Sequence, residues 1–306
     1  MRRVASAERT LTAARKHVVD SATRANANAR SLVRARFGPQ PQPTPPPHAL
    51  VSPPNPPGDS DWQNMTILVD KPQTYTSFDV VARVRRMSRE RGVKKVGHCG
   101  TLDPMATGLL ILCTGKATKI VDTYQASDKT YTGTIRLGEG TPSQDADTEV
   151  NEREPWEHVT DEALRDAAAA MHGASKQTPP MYSALKVDGK RLYQSAREGV
   201  DVERKQRDVF IHKFEVERDA ADAQAVHFMA ECSKGTYVRT LALDLCKSLG
   251  TTGHLTALRR TKIGEYSVED AWTIESLAVA LGDDPSKYSR SPRPKKPPSP
   301  TVDETN

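Results

Sequence analysis

Gly97-His98-Cys99-Gly100-Thr101-Leu102-Asp103-Pro104, followed by Ala106-Thr107-Gly108 and the apolar run Leu109-Leu110-Ile111-Leu112-Cys113, is the stretch on which the fold turns. Three glycines and a proline within twelve residues describe a stiff, irregular loop that leads straight into a buried strand. Asp103 stands in the middle of it. A carboxylate held by such a loop is a candidate nucleophile or base. The same residue before Pro104 can also simply close an Asx-turn.

Outward from this loop, strands and helices alternate without a regular βαβ repeat. On the N-terminal side, Thr66–Val69 reads as a short strand ending in Asp70-Lys71-Pro72. Ser77 then reads as the N-cap of a helix whose apolar positions Phe78, Val81, Val84 and Met87 recur every three residues, with Gly92 as its stop. On the C-terminal side, Leu109–Cys113 is a buried strand and Ala117–Tyr124 a helix. Lys129–Leu137, Val209–Glu217 and Ala225–Ser233 alternate like strands. Asp161–Met171, Leu192–Gly199 and Arg239–Leu249 read as helices, the last closed by Gly250. This mixture predicts an α+β class: a mixed, mainly antiparallel sheet flanked by helices.

The net charge of +5 hides a partition. Residues 1–60 carry nine basic and three acidic groups, and residues 286–306 five and two; subtracting these from 44 and 39 leaves 30 basic against 34 acidic groups between. Proline divides similarly, with ten of the 22 between Pro39 and Pro57 and six between Pro285 and Pro300. Residues 1–37, rich in Arg, Ala and Ser, have the composition of an organelle transit peptide, which predicts an organellar address in chloroplast or mitochondrion. A disordered basic arm touching nucleic acid is the other reading, leaving the protein in cytoplasm or nucleus. Residues 38–60 read as an extended proline-rich spacer, 61–284 as one folded domain and 285–306 as a disordered tail.

No stretch approaches the ~18 consecutive apolar residues of a membrane span, so a membrane partner is not expected. Four cysteines without a C-x-x-C or a nearby histidine pair predict reduced, buried thiols and no metal. No phosphate-binding or dinucleotide fingerprint calls for a cofactor.

Two further clusters bear on function. Arg83, Arg85, Arg86, Arg89, Arg91, Lys94 and Lys95 fall within thirteen residues, opposed by Glu90 alone. Part of this suits a helix C-terminus, but the excess predicts a patch that tracks phosphates, on a domain that is otherwise acidic. Lys234-Gly235-Thr236-Tyr237-Val238-Arg239-Thr240 joins a strand to a helix. An arginine at a helix start is unfavourable unless an anion lies close, and Asp103 is the natural partner; pairing would keep the carboxylate charged and oriented. Otherwise Arg239 is a surface residue. Tyr131 and Tyr237, in a chain with sixteen aromatics, suit stacking on an unstacked base.

At these residues the chain resembles the TruB family of tRNA pseudouridine-55 synthases. The likeness covers Asp70-Lys71-Pro72, the Gly97–Gly108 loop, Asp128-Lys129-Thr130-Tyr131, the run from Pro179 to Tyr193, then Lys234–Thr240 and Leu258-Arg259-Arg260, in order across about residues 66–277. The resemblance implies a pseudouridine synthase fold and the isomerisation of uridine in the tRNA T-loop by base flipping, glycosidic cleavage and rejoining through C5. It puts the catalytic aspartate at Asp103, the stacking tyrosine at Tyr131, the tyrosine and arginine beside the site at Tyr237 and Arg239, a target-contacting leucine at Leu258 and the loop histidine at His98. Lys71 joins the substrate-binding set, and Arg83, Arg85, Arg86, Arg89, Lys94 and Lys95 the RNA-backbone set. The implied partner is the T-arm stem-loop, with other RNA stem-loops as secondary targets, for a monomer needing no cofactor. A non-catalytic RNA chaperone and a guide-RNA-dependent synthase are the rivals. The second is disfavoured because little chain follows Arg260 in which to place a further RNA-binding domain. Cys99 departs from the family's usual threonine, and Gly140–Asp147 from its common form at Pro142 and Asp147.

Overall fold

The computed structural model describes residues 49–53 and 62–288. The transit-like segment and most of the expected spacer and tail lie outside these residues. The strands are β1 (Ala49–Val51), β2 (Met65–Lys71), β3 (Val96–His98), β4 (Thr107–Thr114), β5 (Lys129–Leu137), β8 (Gly173–Gln177), β11 (Arg207–Arg218), β12 (Ala225–Cys232), β13 (Gly253–Ile263) and β14 (Tyr266–Ser267). Two small ribbons pair β6 (Glu139–Gly140) with β7 (Glu152–Arg153), and β9 (Lys186–Val187) with β10 (Lys190–Arg191). The α-helices are α1 (Ser77–Met87), α2 (Val121–Ala126), α3 (Asp161–Ala170), α4 (Leu192–Arg197), α5 (Val238–Ser248) and α6 (Ile274–Ala280).

One ten-stranded sheet runs β1-β2-β4-β13-β5-β12-β11-β8, with β3 added on β4 and β14 on β13. Only β1–β2 and β4–β13 are parallel among its pairs. This is the predicted mixed, mainly antiparallel sheet. The continuous apolar run of β4 is explained by burial on both faces: Leu110 and Leu112 pack toward α1 and α6, while Leu109, Ile111 and Cys113 pack with Tyr124 and Tyr266. A third cluster lies between β5, β11, β12 and β13 and helices α3 and α5, and it takes in Leu102 and Met105 from the Asp103 loop.

Several expectations need correction. Thr76, not Ser77, caps α1: its hydroxyl accepts from Asp79 N while the Asp79 carboxylate accepts from Thr76 N, a capping box. Phe78 is not in the apolar stripe. The buried positions of α1 are Ser77, Val80, Val81, Val84 and Met87, and Phe78 is 62% exposed. The stretch expected as one helix over 117–124 begins as a 3-10 turn, Gly115–Ile120, and becomes α-helical only at Val121.

The central strand β13 does not read as a strand, because two consecutive buried positions, one on each face, are Arg259 and Arg260. Ala49–Val51 forms a parallel ladder with β2 inside the segment read as spacer. At the other end, Tyr288 is 3% exposed in the α1/α6 core, four residues beyond the boundary drawn at 284.

Candidate active site

The Asp103 loop connects β3 to β4, and its neighbours are clamped on both sides. Leu102 N donates to Ser77 Oγ at 2.9 Å, and Ser77 Oγ donates to Leu102 O at 3.2 Å. Pro104 O accepts from Thr74 N at 2.8 Å and from Lys71 Nζ at 3.4 Å. Further along, the second residue of β4 is Gly108, whose φ is +105° and whose Cα lies so close to β13 that a Cβ would fall 2.2 Å from Arg260 O. Only glycine fits there.

Held in this way, the Asp103 carboxylate is not spent on an Asx-turn. It faces Arg239, whose Nε lies 2.9 Å from Oδ2 and whose Nη2 donates to Oδ1 at 3.2 Å. This is a two-point guanidinium–carboxylate pair. Arg239 is 3% exposed and the Asp103 side chain 32%, so the charge is buried on the arginine side and open on the aspartate side. The guanidinium is fixed further by Nη1 donating to Ser143 O at 2.8 Å and Nη2 to Tyr182 O at 2.9 Å. Its place in the first turn of α5, unfavourable for a cation, is offset by these acceptors.

A second carboxylate shares Arg239. Asp145 Oδ2 lies 3.6 Å from Nε, and its side chain is 2% exposed. Its Oδ1 accepts from Ser143 Oγ at 2.5 Å and from Asp147 N at 3.0 Å. Burial pushes this carboxyl up to about 6, with the Arg239 charge opposing. Asp145 was not singled out from the sequence. It lies in the Gly140–Asp147 segment, but its burial depends on a bridge to β13 at Leu255.

Tyr131 is half-buried on β5, opposite Ala230 of β12 and Arg260 of β13, and packs on the cluster that contains Leu102 and Leu258. Burial pushes its phenol up, opposed by the Arg260 charge. Tyr237 precedes α5 and is held by Gln177, which accepts from its N at 2.7 Å and donates to its O at 3.1 Å; Arg207 sits 5.8 Å from its ring centroid. His98, at the end of β3, meets Phe78 edge-to-face at 5.5 Å. Burial, reinforced by Arg260, lowers its pKa and keeps the imidazole neutral.

Two expected contacts are placed differently. Lys71 is fully buried, and its Nζ donates to Pro72 O, Tyr75 O and Pro104 O. Burial lowers its ammonium to about 8, with the Asp103 and Asp147 charges pulling the other way. It fastens the loop rather than offering a surface. Leu258 is 6% exposed in the core under the loop and presents little surface of its own.

The basic cluster divides. Arg83 donates to Tyr288 O at 3.0 Å and lies 4.3 Å over Tyr75, Arg86 lies over Tyr288, and Arg91 over Trp62. These bind the chain to itself. Arg85, Arg86, Arg89, Lys94 and Lys95 are all exposed, but Arg86 lies over the Tyr288 ring, whereas Arg85 turns the other way, over β3. Cys99 and Cys113 are buried with Sγ atoms 3.5 Å apart, so the residue in the place of the family threonine packs beneath the loop, and all four cysteines are free. Among the described residues, no group of three or more His, Cys, Asp or Glu side chains is placed to hold a metal ion. No helix there is long and apolar enough to cross a membrane.

A model of the TruB family pseudouridylate synthase N-terminal domain matches residues 85–238, and one of the tRNA pseudouridylate synthase B C-terminal domain matches residues 239–289. The chain belongs to the TruB family. The tRNA pseudouridine synthase B of Paenarthrobacter aurescens is 48% identical over 219 residues, 70% of either chain. That of Opitutus terrae is 50% identical over 211 residues, 69% of this chain and 86% of its own. Among solved structures, a Cbf5-Nop10-Gar1 complex contains a chain with a TM-score of 0.53 and 24% identity, matched over 76% of this chain and 59% of that one. At that identity the likeness is one of fold. Against this family, the segment matched by the C-terminal model supplies β13, which sits in the middle of the sheet between β4 and β5. The two matched regions therefore build one sheet.

Proposed function

We propose that this chain isomerises uridine to pseudouridine in the T-loop of tRNA, at position 55, as a monomer without metal or cofactor, other RNA stem-loops being secondary targets. The observation that carries the reading is the Asp103–Arg239 pair. One buried cation, held by Ser143 O, Tyr182 O and Asp145, aims a single partly open carboxylate on a clamped loop. A binding-only protein has no use for that arrangement.

In this reading the target uridine leaves its stack, at a cost of a few kcal/mol offset by stacking on Tyr131 and by phosphate contacts to Arg85, Arg89, Lys94 and Lys95. The neutral His98 ring occupies the space left behind. Asp103 acts at the ribose C1′ while the C1′–N1 bond breaks, the base turns over, C5 bonds to C1′, and the C5 proton leaves as N1 gains one, so the reaction is balanced as an isomerisation. Attack at C1′, attack at C6 and elimination to a glycal all use the same carboxylate. Tyr131, its phenol held protonated by burial, stacks on the base and relays the C5 proton. Arg239 keeps Asp103 charged and oriented, and Tyr237 lines the wall beside it.

The test is Asp103→Asn on a T-arm stem-loop transcript. Product is expected to vanish while the RNA still binds; near-normal turnover would remove Asp103 from the chemistry. Binding of the transcript by the unaltered protein with no pseudouridine formed would favour the chaperone reading, and a stably co-purifying small RNA the guide-dependent one. We also propose that residues 1–37 direct the chain to an organelle. A fluorescent protein fused behind residues 1–60 is expected to collect there, and a diffuse cytosolic signal refutes it.

A further inference from the structure

The reading of this site as an RNA-modifying centre leaves Phe78 without a role. It is 62% exposed, although the chain has only five phenylalanines and the helix that carries it buries every other large apolar side chain it has. Its place is narrowly defined. Phe78 follows Ser77, Asp103 follows Leu102, and Ser77 and Leu102 are joined by two hydrogen bonds. The exposed ring is therefore tied to the rim of the catalytic loop, with its other contact the His98 ring at 5.5 Å.

Helical geometry continues the feature. At 3.6 residues per turn, positions 78, 82 and 85 fall within a sector of about 60° on α1. Phe78, Ala82 and Arg85 are all exposed, and exposed Arg89 opens the following turn. Arg85 leans over β3 and donates to Val96 O at 3.4 Å, two residues before His98. The neighbouring Arg83 and Arg86 point the other way, toward Tyr75 and Tyr288. What results is a stripe with an aromatic ring at the site end, a small residue next, and cations beyond. A single RNA strand offers the same order: an unstacked base and then phosphates.

We propose that Phe78 is a stacking platform for a base flanking the flipped uridine, with Arg85 and Arg89 on the phosphates of the same strand. The proposal rests on the function argued above. It separates two halves of the basic cluster by task, the outward half holding RNA and the inward half holding the protein together.

The experiment uses the full chain and a T-arm stem-loop, with Kd measured by fluorescence anisotropy and turnover measured separately at saturating RNA. Phe78→Ala and Phe78→Leu are expected to weaken binding about 5- to 150-fold, the range for loss of one stacked base. Phe78→Trp is expected to bind like the unaltered protein, and the melting temperature to stay the same, because the ring is exposed. Repeating Phe78→Ala in a His98→Ala background removes any effect relayed through the imidazole, and the loss is expected to persist. Arg85→Ala is expected to reduce the dependence of Kd on salt by about one phosphate contact. Binding unchanged in Phe78→Ala, rescue by leucine as complete as by tryptophan, or a loss that disappears in the His98→Ala background each overturns the proposal. If the unaltered protein binds the stem-loop but makes no pseudouridine, the catalytic reading fails while the Kd comparison still decides the stacking. If it binds no stem-loop, both fail.

Discussion

Replacing Asp145 by asparagine isolates what a second buried carboxylate does beside Arg239. The change is nearly isosteric and preserves an oxygen able to accept from Ser143 Oγ and Asp147 N. Burial holds Asp145 at about 6, against an ordinary value of 3.8. Each pH unit of such a difference is worth about 1.4 kcal/mol, together roughly 3 kcal/mol as an upper figure.

The sign follows from which state holds the proton. Below pH about 4 both folded and unfolded chains hold it, and burial of the group costs nothing extra. Between about 4 and 6 the unfolded chain releases it first, so folding is progressively disfavoured. Above about 6 both are ionised and the full cost is present. Other groups titrate in the same range, so the quantity to follow is the stability of Asp145→Asn minus that of the unaltered protein, by urea denaturation from pH 4 to 7.5. That difference is expected to rise with pH by up to about 3 kcal/mol and to level off above pH about 6.5. Turnover of the variant is expected to move the opposite way, falling by up to about 100-fold as Arg239 loses one of its two carboxylates and Asp103 its fixed orientation. A difference that stays flat with pH, or falls, would refute the buried-charge account.

Arg239→Lys retains a charge but not the two-point geometry; turnover at saturating RNA is expected to drop about 100-fold or more while RNA affinity changes little. Equal loss of binding and turnover would instead mark a general collapse of the site. Gly108→Ala puts a Cβ 2.2 Å from Arg260 O at a positive φ, and should cost about 3–5 kcal/mol by denaturation; a cost below about 1 kcal/mol would mean that β13 and the loop part easily. Tyr288→Ala empties a buried site whose hydroxyl donates to Asp283 and whose backbone anchors Arg83, and is expected to cost about 3–5 kcal/mol. Stability unchanged by that substitution would restore the boundary drawn at residue 284.

Much of the fold was legible because its signals are local. Period-2 alternation marks β5, β11 and β12 to within two residues, and helix periodicity marks α3 and α5. The misreadings share one cause. Ala49–Val51 looks like spacer because proline dominates around it, yet three residues suffice for a ladder when β2 offers an open edge. The arginine-rich β13 does not resemble a central strand, but Arg259 is paired with Asp70 at 2.7 Å and Arg260 donates to Leu109 O and Gly100 O. Satisfied cations of this kind can be buried where unpaired ones cannot. Phe78 looked like core from its spacing, and a helical period cannot say which of two adjacent faces meets a neighbour.

Residue type and the spacing of glycine and proline are enough to mark the stiff loop around Asp103 and to suggest Arg239 as a partner for its carboxylate, because both rest on local chain chemistry. How that pair is held follows from contacts between distant segments. Ser77, Lys71 and Thr74 clamp the loop from a segment about thirty residues away, and Asp145 adds a second charge to the same guanidinium. The dense basic cluster also divides into cations that lie over Tyr75 and Tyr288 and exposed cations that turn away from those rings. Such partnerships join residues far apart in the chain, and their strength depends on distance and burial, which chain order does not encode.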